Sequence, residues 1–271
     1  MVDKYVVIGN PIAQSKSPFI HQQFAKQTQQ SLDYQKQLVE LDGFERFVTT
    51  FKAAGGRGCN VTMPFKEQAY AAATQLSPRA KAAGAVNTLT FNDDGTISGD
   101  NTDGQGLVGD LLRNKVTLKN ARILVLGAGG AARGCILPLL EQQPTKIVIA
   151  NRTTSKADAL ATQFNESGKV DGCGFEQLSG EFDVIINSTS TSLSGELPAI
   201  SDDIVLSATC CYDMVYKNEP TAFLAWANKL GVAHTIDGLG MLVGQAAESF
   251  RVWRDVMPKI DDVLAQMRKG L

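Results

Sequence analysis

The chain has 271 residues, enough for one large or two ordinary domains with a sizeable core. It is 44% hydrophobic and 20% charged with a net charge of −2, which argues against a nucleic-acid or anionic-membrane surface and leaves small molecules as the expected partners. Five cysteines with no C-x-x-C pair and only two histidines point to neither a disulfide framework nor a metal site. No run approaches the roughly 18 apolar residues of a membrane span. The opening "MVDKYVVIGNP" lacks the long apolar region of a signal peptide, so a cytoplasmic protein is expected. His21 is expected on the polar side of a helix, and His234 leading into a loop.

Strand and helix signals alternate along the chain. "YVVIG" reads as a strand, followed by a loop and a helix from about Pro18. "SLDYQKQLVE" contains a strand, "GFERFVTTFKAAG" a helix, and "RGCNVT" a strand. "AVNTLTFNDDGTISGDN" reads as a hairpin turning at Asp94–Gly95, and "TDGQGLVGDLLRN" as a helix. Further strands are expected at "ARILVLG", "KIVIAN", "FDVIIN", "IVLSATCCYDMV" and "VAHTID", with helices between them, and a pair of helices closes the chain from "GLGMLVGQAAESFRVW". Such alternation predicts a parallel, doubly wound sheet. Two α/β domains follow, with a break near residue 102.

"ARILVLGAGGAARGCILPLL" places a glycine turn between a buried strand and a helix. Gly127, Gly129 and Ala132 fit G-x-G-x-x-A: the first makes the turn, the second lets the backbone approach a pyrophosphate, and the third lets helix and strand pack closely. Ala128, Gly130 and Ala131 complete that loop. An NAD site carries a carboxylate about 20 residues further on for the ribose hydroxyls. Here the next strand ends in Asn151, with Arg152, Thr153 and Lys156 after it. A carboxylate would repel a 2′-phosphate whereas these cations attract one, so the expected cofactor is NADP.

The first half supplies a second group of candidates. Pro64 in "NVTMPFKEQAY" marks the first position of a helix, which puts Lys66 in its first turn. The helix N-terminus carries partial positive charge, so a lysine there is mildly unfavourable: on this stretch alone it reads first as a side chain pointing into solvent, with a need for an amine at that place as the alternative. Ser15 and Ser17 precede the helix at Pro18; Ser17 reads as an N-cap, and the two hydroxyls together suit a carboxylate ligand. Thr62, Asn87 and Asp103 lie nearby in the sequence, Asp103 at the start of a helix.

The blocks "GNPIAQSKSPFIH", "NVTMPFK", "GAVNTL", "GDNTDGQG", "GAGGAA", "NRT" and "DGLGMLVGQA" run in one order along nearly the whole chain, and in this combination the sequence closely resembles the shikimate dehydrogenases. The resemblance implies NADP-dependent, reversible reduction of 3-dehydroshikimate to shikimate on the way to aromatic amino acids. It implies Lys66 and Asp103 as the catalytic pair, and Ser15, Ser17, Thr62, Asn87, Tyr216 and Gln245 as further substrate contacts. It implies Thr189, Met214, Gly238 and Met241 as residues lining the nicotinamide. It also implies a substrate domain from residues 1–101 and 238–271, a Rossmann-type NADP domain from 102–237, and an active site in the cleft between them. A monomer or homodimer is expected. Ser188 stands where the family often carries alanine. The alternative within the family is a quinate/shikimate dehydrogenase of broader substrate and cofactor range.

Overall fold

Strand β1 (Asp3–Gly9) alternates its apolar side chains between two faces of a sheet, and both faces are buried. Val6 and Ile8 pack with Phe44, Val48 and Phe65; Tyr5 and Val7 pack with Ile12 and Tyr34. The computed structural model describes residues 2–270. After β1 come α1 (Ser17–Thr28), β2 (Leu32–Leu38), α2 (Phe44–Ala53), β3 (Gly56–Val61), α3 (Lys66–Ala72), the short β4 (Gln75–Leu76), α4 (Pro78–Ala83), β5 (Thr88–Phe91), β6 (Ile97–Asp100) and α5 (Asp103–Arg113). They are followed by β7 (Arg122–Leu126), α6 (Gly130–Leu140), β8 (Lys146–Asn151), α7 (Thr154–Phe164), β9 (Val170–Gly174), β10 (Val184–Asn187), α8 (Thr191–Ser194), α9 (Asp202–Leu206), β11 (Cys210–Asp213), α10 (Ala222–Lys229), β12 (His234–Asp237), α11 (Leu239–Arg254) and α12 (Asp261–Lys269).

The chain divides into two compact units, Met1–Gly106 with Val243–Gln266, and Leu107–Leu242 with Met267–Leu271. Among the described residues the first unit holds a six-stranded mixed sheet in the order β2-β1-β3-β5-β6-β4. β1 pairs parallel with β2 and β3, while β3 with β5 and β5 with β6 are antiparallel. The second unit holds a six-stranded sheet in the order β12-β11-β10-β7-β8-β9, every pairing parallel. That is the doubly wound order of a dinucleotide-binding fold, with β7 as its first strand and the switch in winding direction between β7 and β10. No helix among the described residues is long and apolar enough to cross a membrane.

Five local expectations need correction. His21 is not on a polar helix side: it is fully buried, stacked on Tyr34 with ring centroids 4.1 Å apart. Burial pushes its imidazole pKa down to about 3, so it packs as a neutral aromatic ring. His234 opens strand β12, within the expected "VAHTID" strand, rather than leading directly into a loop. The segment "IVLSATCCYDMV" is not one strand. Asp202 and Asp203 occupy the first turn of helix α9, where acids are favoured, and Ile204 and Val205 form its buried face; only Cys210–Asp213 is extended. Pro64 lies before α3, in a turn closed by Phe65 N–H donating to the Thr62 carbonyl at 3.1 Å, and Lys66 is the first helical residue. Ser17 is the first residue of α1, with Lys16 at the cap position and no side-chain cap bond; its N–H is satisfied by Ser15 Oγ at 3.4 Å.

A buried ionic group ties three elements of the first unit. Arg79 of α4 forks onto Asp100 at the end of β6 at 2.7 and 2.6 Å and reaches Glu248 of α11 at 2.9 Å. Burial alone would raise both carboxyls, but Arg79, together with Ser77 for Asp100 and Arg251 for Glu248, outweighs it and holds both below their ordinary values. Because the folded values are depressed, this contribution is present above the unfolded carboxylate range of about pH 4 and fades as pH falls through the lower folded values. Arg79→Met is expected to lower the unfolding free energy at neutral pH by about 3 kcal/mol, since it removes the charge partner of the mostly buried Asp100 carboxylate and leaves Glu248 paired with Arg251 alone. In urea denaturation the deficit should shrink on acidification; a deficit independent of pH would mean that Arg79 contributes packing alone.

Candidate active site

In the first unit, parallel β1 and β3 both finish at the same sheet edge, and antiparallel pairing brings the start of β5 and the end of β6 to that edge too, with Asn60 opposite Thr88 and Thr88 opposite Asp100. The connecting segments are stitched together there. Asn10 N–H donates to the Met63 carbonyl at 3.0 Å, Val61 N–H to the Asn87 carbonyl at 2.8 Å, and Asn87 N–H to the Asp100 carbonyl at 3.0 Å. Ser15, Ser17, Thr62, Lys66, Asn87 and Asp103 therefore belong to segments that leave the sheet at one end.

Lys66 Nζ donates to Asp103 Oδ2 at 2.5 Å, and Asn87 Nδ2 donates to Asp103 Oδ1 at 2.8 Å. Both carboxylate oxygens are thus engaged. Lys66 itself is pinned at the backbone, its carbonyl accepting from Val86 N–H at 2.9 Å. The side chain of Asp103 is 11% exposed and that of Lys66 28%, so the pair is shielded without being sealed. Gln245 of α11 joins the group through Asn87 Nδ2, 3.4 Å from its Oε1. The hydroxyls of Ser15 and Ser17 lie 3.3 Å apart. Chemically, this is a positioned amine, a fixed carboxylate and several hydroxyl and amide donors: groups able to bind a polyhydroxylated ring and move one proton.

Four residues of this unit were not anticipated from the sequence: Asn60, Thr88, Thr102 and Ser249, all buried. They hydrogen-bond to one another and to Asn87. The available signal was a polar residue at strand positions that should be buried, Asn60 in "RGCNVT" and Thr88 in "AVNTL".

In the second unit, every predicted cofactor residue but one lies at or after the carboxyl end of a parallel strand, the place where doubly wound sheets bind ligands; Met241, in the first turn of α11, is the exception. Gly127 follows β7 with φ +106°, and a Cβ there would stand 2.7 Å from Ser188 Oγ, so the turn requires glycine. Ser188, which follows β10, donates to the Leu126 carbonyl at 2.7 Å and so closes the β7/β10 switch point. At the N-terminus of α6, Gly129, Gly130 and Ala131 are exposed, and a Cβ on either glycine would meet nothing within 4 Å. Ala128 lies between this turn and the helix, and Ala132 is fully buried against the strand. This cradle of backbone amides fits a pyrophosphate.

Asn151 ends β8 and donates from Nδ2 to the Thr153 carbonyl at 3.0 Å. Arg152 and Lys156 are exposed and form no ion pair among the described residues, and the first turn of α7 contains no acid. Two uncompensated cations at this strand end fit a 2′-phosphate. Thr189 is fastened to Asn187, its Oγ1 donating to Oδ1 at 2.6 Å, and Met214 N–H donates to the Asn187 carbonyl at 3.0 Å. A Cβ on Gly238 would stand 2.0 Å from the Met214 carbonyl, so only glycine passes there. Tyr216 is half-buried, and burial, reinforced by the Asp237 carboxylate, raises its pKa.

Comparison with known proteins bears on both units. Residues 7–89 match the shikimate dehydrogenase substrate binding domain, residues 110–195 the shikimate / quinate 5-dehydrogenase domain, and residues 238–268 the shikimate 5'-dehydrogenase C-terminal domain. The NADP(+) shikimate dehydrogenase of Photobacterium profundum is 59% identical over 271 residues, covering 100% of this chain and 99% of that protein. Among solved structures, an Ael1 enzyme from Pseudomonas putida is 43% identical with a TM-score of 0.92, covering 97% of both chains. Shikimate 5-dehydrogenase from Thermus thermophilus, solved with NADP(H) and shikimate, is 30% identical with a TM-score of 0.88 and covers 100% of both chains. With sequence identity and fold agreeing from end to end, the chain belongs to the shikimate dehydrogenase family.

Proposed function

We propose that this chain carries out the reversible, NADPH-dependent reduction of 3-dehydroshikimate to shikimate, on the route to aromatic amino acids, with Lys66 and Asp103 as its acid/base pair. Family membership supports the activity. The observation that carries the assignment of the pair is the 2.5 Å contact from Lys66 Nζ to Asp103 Oδ2, with Asn87 holding the other carboxylate oxygen.

When bound, NADPH supplies the hydride that reduces the carbonyl carbon. The carbonyl oxygen must gain a proton as the alcohol forms. An ammonium has three protons and the Asp103 contact uses one, so Lys66 can donate to that oxygen while it stays anchored. In the reverse direction the amine takes the proton back. Asp103 fixes the amine and accepts from a neighbouring ring hydroxyl. Ser15, Ser17 and Tyr216 are assigned to the substrate carboxylate, and Thr62, Asn87 and Gln245 to the substrate as well. The loop from Gly127 to Ala132 takes the pyrophosphate, Asn151, Arg152, Thr153 and Lys156 the 2′-phosphate end, and Thr189, Met214, Gly238 and Met241 the nicotinamide. The protein is assigned to the cytoplasm, as a monomer or homodimer. The domain description matched over residues 110–195 names quinate too, which favours broader substrate range as the second reading; NADP reduction assayed with shikimate and then quinate separates the two.

Lys66→Met removes the amine and keeps the apolar stem. Turnover is expected to fall on the order of 10²–10⁴-fold, the usual range for a lost general acid or base, measured on a variant shown to be folded. Asp103→Asn should lose turnover with a larger loss of shikimate affinity by calorimetry. The double variant should be less impaired than the product of the single losses, because the two act as a unit. Parental turnover in Lys66→Met would make the lysine a bystander.

Arg152→Ala should raise the KM for NADP by roughly 10-fold or more, as expected for a lost charge-assisted contact, and leave the KM for NAD little changed. Lys156→Ala should act the same way more weakly, because a flexible point charge lacks the planar fork of arginine. A parallel loss with both cofactors would assign these residues to the fold or the adenine instead.

A further inference from the structure

The orientation of one buried amide decides how Asp103 is held. Asn87 Oδ1 accepts from the Thr102 N–H at 3.0 Å and from Thr88 Oγ1 at 2.8 Å. Turned end for end, the amide would set its NH₂ against a backbone donor and its oxygen against the Asp103 carboxylate. The Thr102 N–H and the Thr88 hydroxyl therefore oblige Nδ2 to face Asp103.

The Thr88 hydroxyl has only one proton, and it matters which way that proton points. Behind Thr88 lies a run of buried polar groups drawn from separate elements. Tyr34 of β2 donates to Asn60 Oδ1 at 2.6 Å, and Asn60 Nδ2 donates to Ser249 Oγ at 3.0 Å and to Thr88 Oγ1 at 3.2 Å. Ser249 Oγ and Thr88 Oγ1 are 2.8 Å apart, a contact that needs one proton between them. If Thr88 spent its proton on Ser249, Asn87 Oδ1 would face a bare oxygen lone pair at 2.8 Å. Ser249 Oγ also reaches the Gln245 carbonyl at 3.0 Å, but that carbonyl is the backbone acceptor one turn back in its own helix and the Thr88 contact is the shorter; if Ser249 supplies its proton to Thr88, every contact from Tyr34 to Asn87 is a donor meeting an acceptor. The polarity is then one-way, from Tyr34 through Asn60, Ser249 and Thr88 to Asn87, and from Asn87 to Asp103. Tyr34, Thr88, Thr102 and Ser249 are fully buried, so bulk water cannot substitute for a missing partner. Burial also raises the Tyr34 phenol well above its usual range, which keeps it a donor at the head of the run.

We propose that Thr88 and Ser249 are positioning residues for the acid/base pair, fixing through this one-way run of donors which end of the Asn87 amide faces Asp103. The inference rests on the reading of Lys66 and Asp103 given above.

The test is steady-state kinetics of Thr88→Val, which keeps the shape and deletes the hydroxyl, beside Thr88→Ser, which keeps the hydroxyl. Thr88→Val is expected to lower kcat for shikimate oxidation roughly 10-fold, the scale of a slightly misplaced catalytic group, with the KM for NADP unchanged. Thr88→Ser should restore most of the loss. In a Lys66→Met background Thr88→Val should cause no further fall, because the pair it positions is already disabled. Parental kcat in Thr88→Val, equal impairment in both Thr88 variants, or a further full loss in the Lys66→Met background each overturns the inference. A parental rate for Lys66→Met alone is a different result: it removes the acid/base reading itself. Should Thr88→Val fail to fold, Ser249→Ala reads the same run from a helix that accepts alanine readily, with a fall in kcat expected and parental kcat overturning the proposal.

Discussion

The Asp103 carboxylate is gripped on both oxygens, by an amine on one side and an amide on the other, and much of the first unit is arranged to make that grip possible. Lys66 follows β3, Asn87 precedes β5 and Asp103 follows β6. Those three points coincide only because β5 runs antiparallel to both neighbours. Had the sheet been wholly parallel, Asn87 would stand at its opposite end. The mixed pairing is therefore a requirement of the site and not an incidental feature of the fold.

The second unit follows the opposite rule. All its strand pairings are parallel, so the loops after β7, β8, β10, β11 and β12 leave from one edge. Small residues sit where the backbone must come close: Gly127 against Ser188, and Gly238 against the Met214 carbonyl. Close backbone approach at a strand end, with exposed amides at the start of α6, is what a dinucleotide phosphate needs.

Buried polarity in the first unit does two separate jobs. The Arg79, Asp100 and Glu248 group joins α4, β6 and α11 by charge. The neutral run from Tyr34 to Asn87 joins β2, β3, β5 and α11 by hydrogen bonds whose direction carries information, since a hydroxyl or amide proton can satisfy only one arrangement of neighbours. A charged network in the second position would compete with Asp103 for Lys66; neutral donors orient the carboxylate's partner without competing.

The sequence alone determined whatever depends on neighbours along the chain: the alternation of strands and helices, the Asp94–Gly95 hairpin, the G-x-G-x-x-A turn, and the replacement of an acid by Asn151 and Arg152. The ordered blocks also named the site residues as candidates. Tertiary structure decided what depends on partners far away. His21 carries a polar label, yet its surroundings are set by how α1 packs on β2, which makes it a core ring beside Tyr34. The apolar "IVL" after two acids suits a strand or a helix equally, and α9 forms because those acids settle at a helix start and Ile204 and Val205 find a buried face. Asn60 and Ser249 are 189 positions apart, and nothing local in either marks the other as its partner. Periodicity, turns and caps are written into adjacent residues; the partner of a buried polar side chain is chosen by sheet register and helix packing between segments that meet only when the chain has folded.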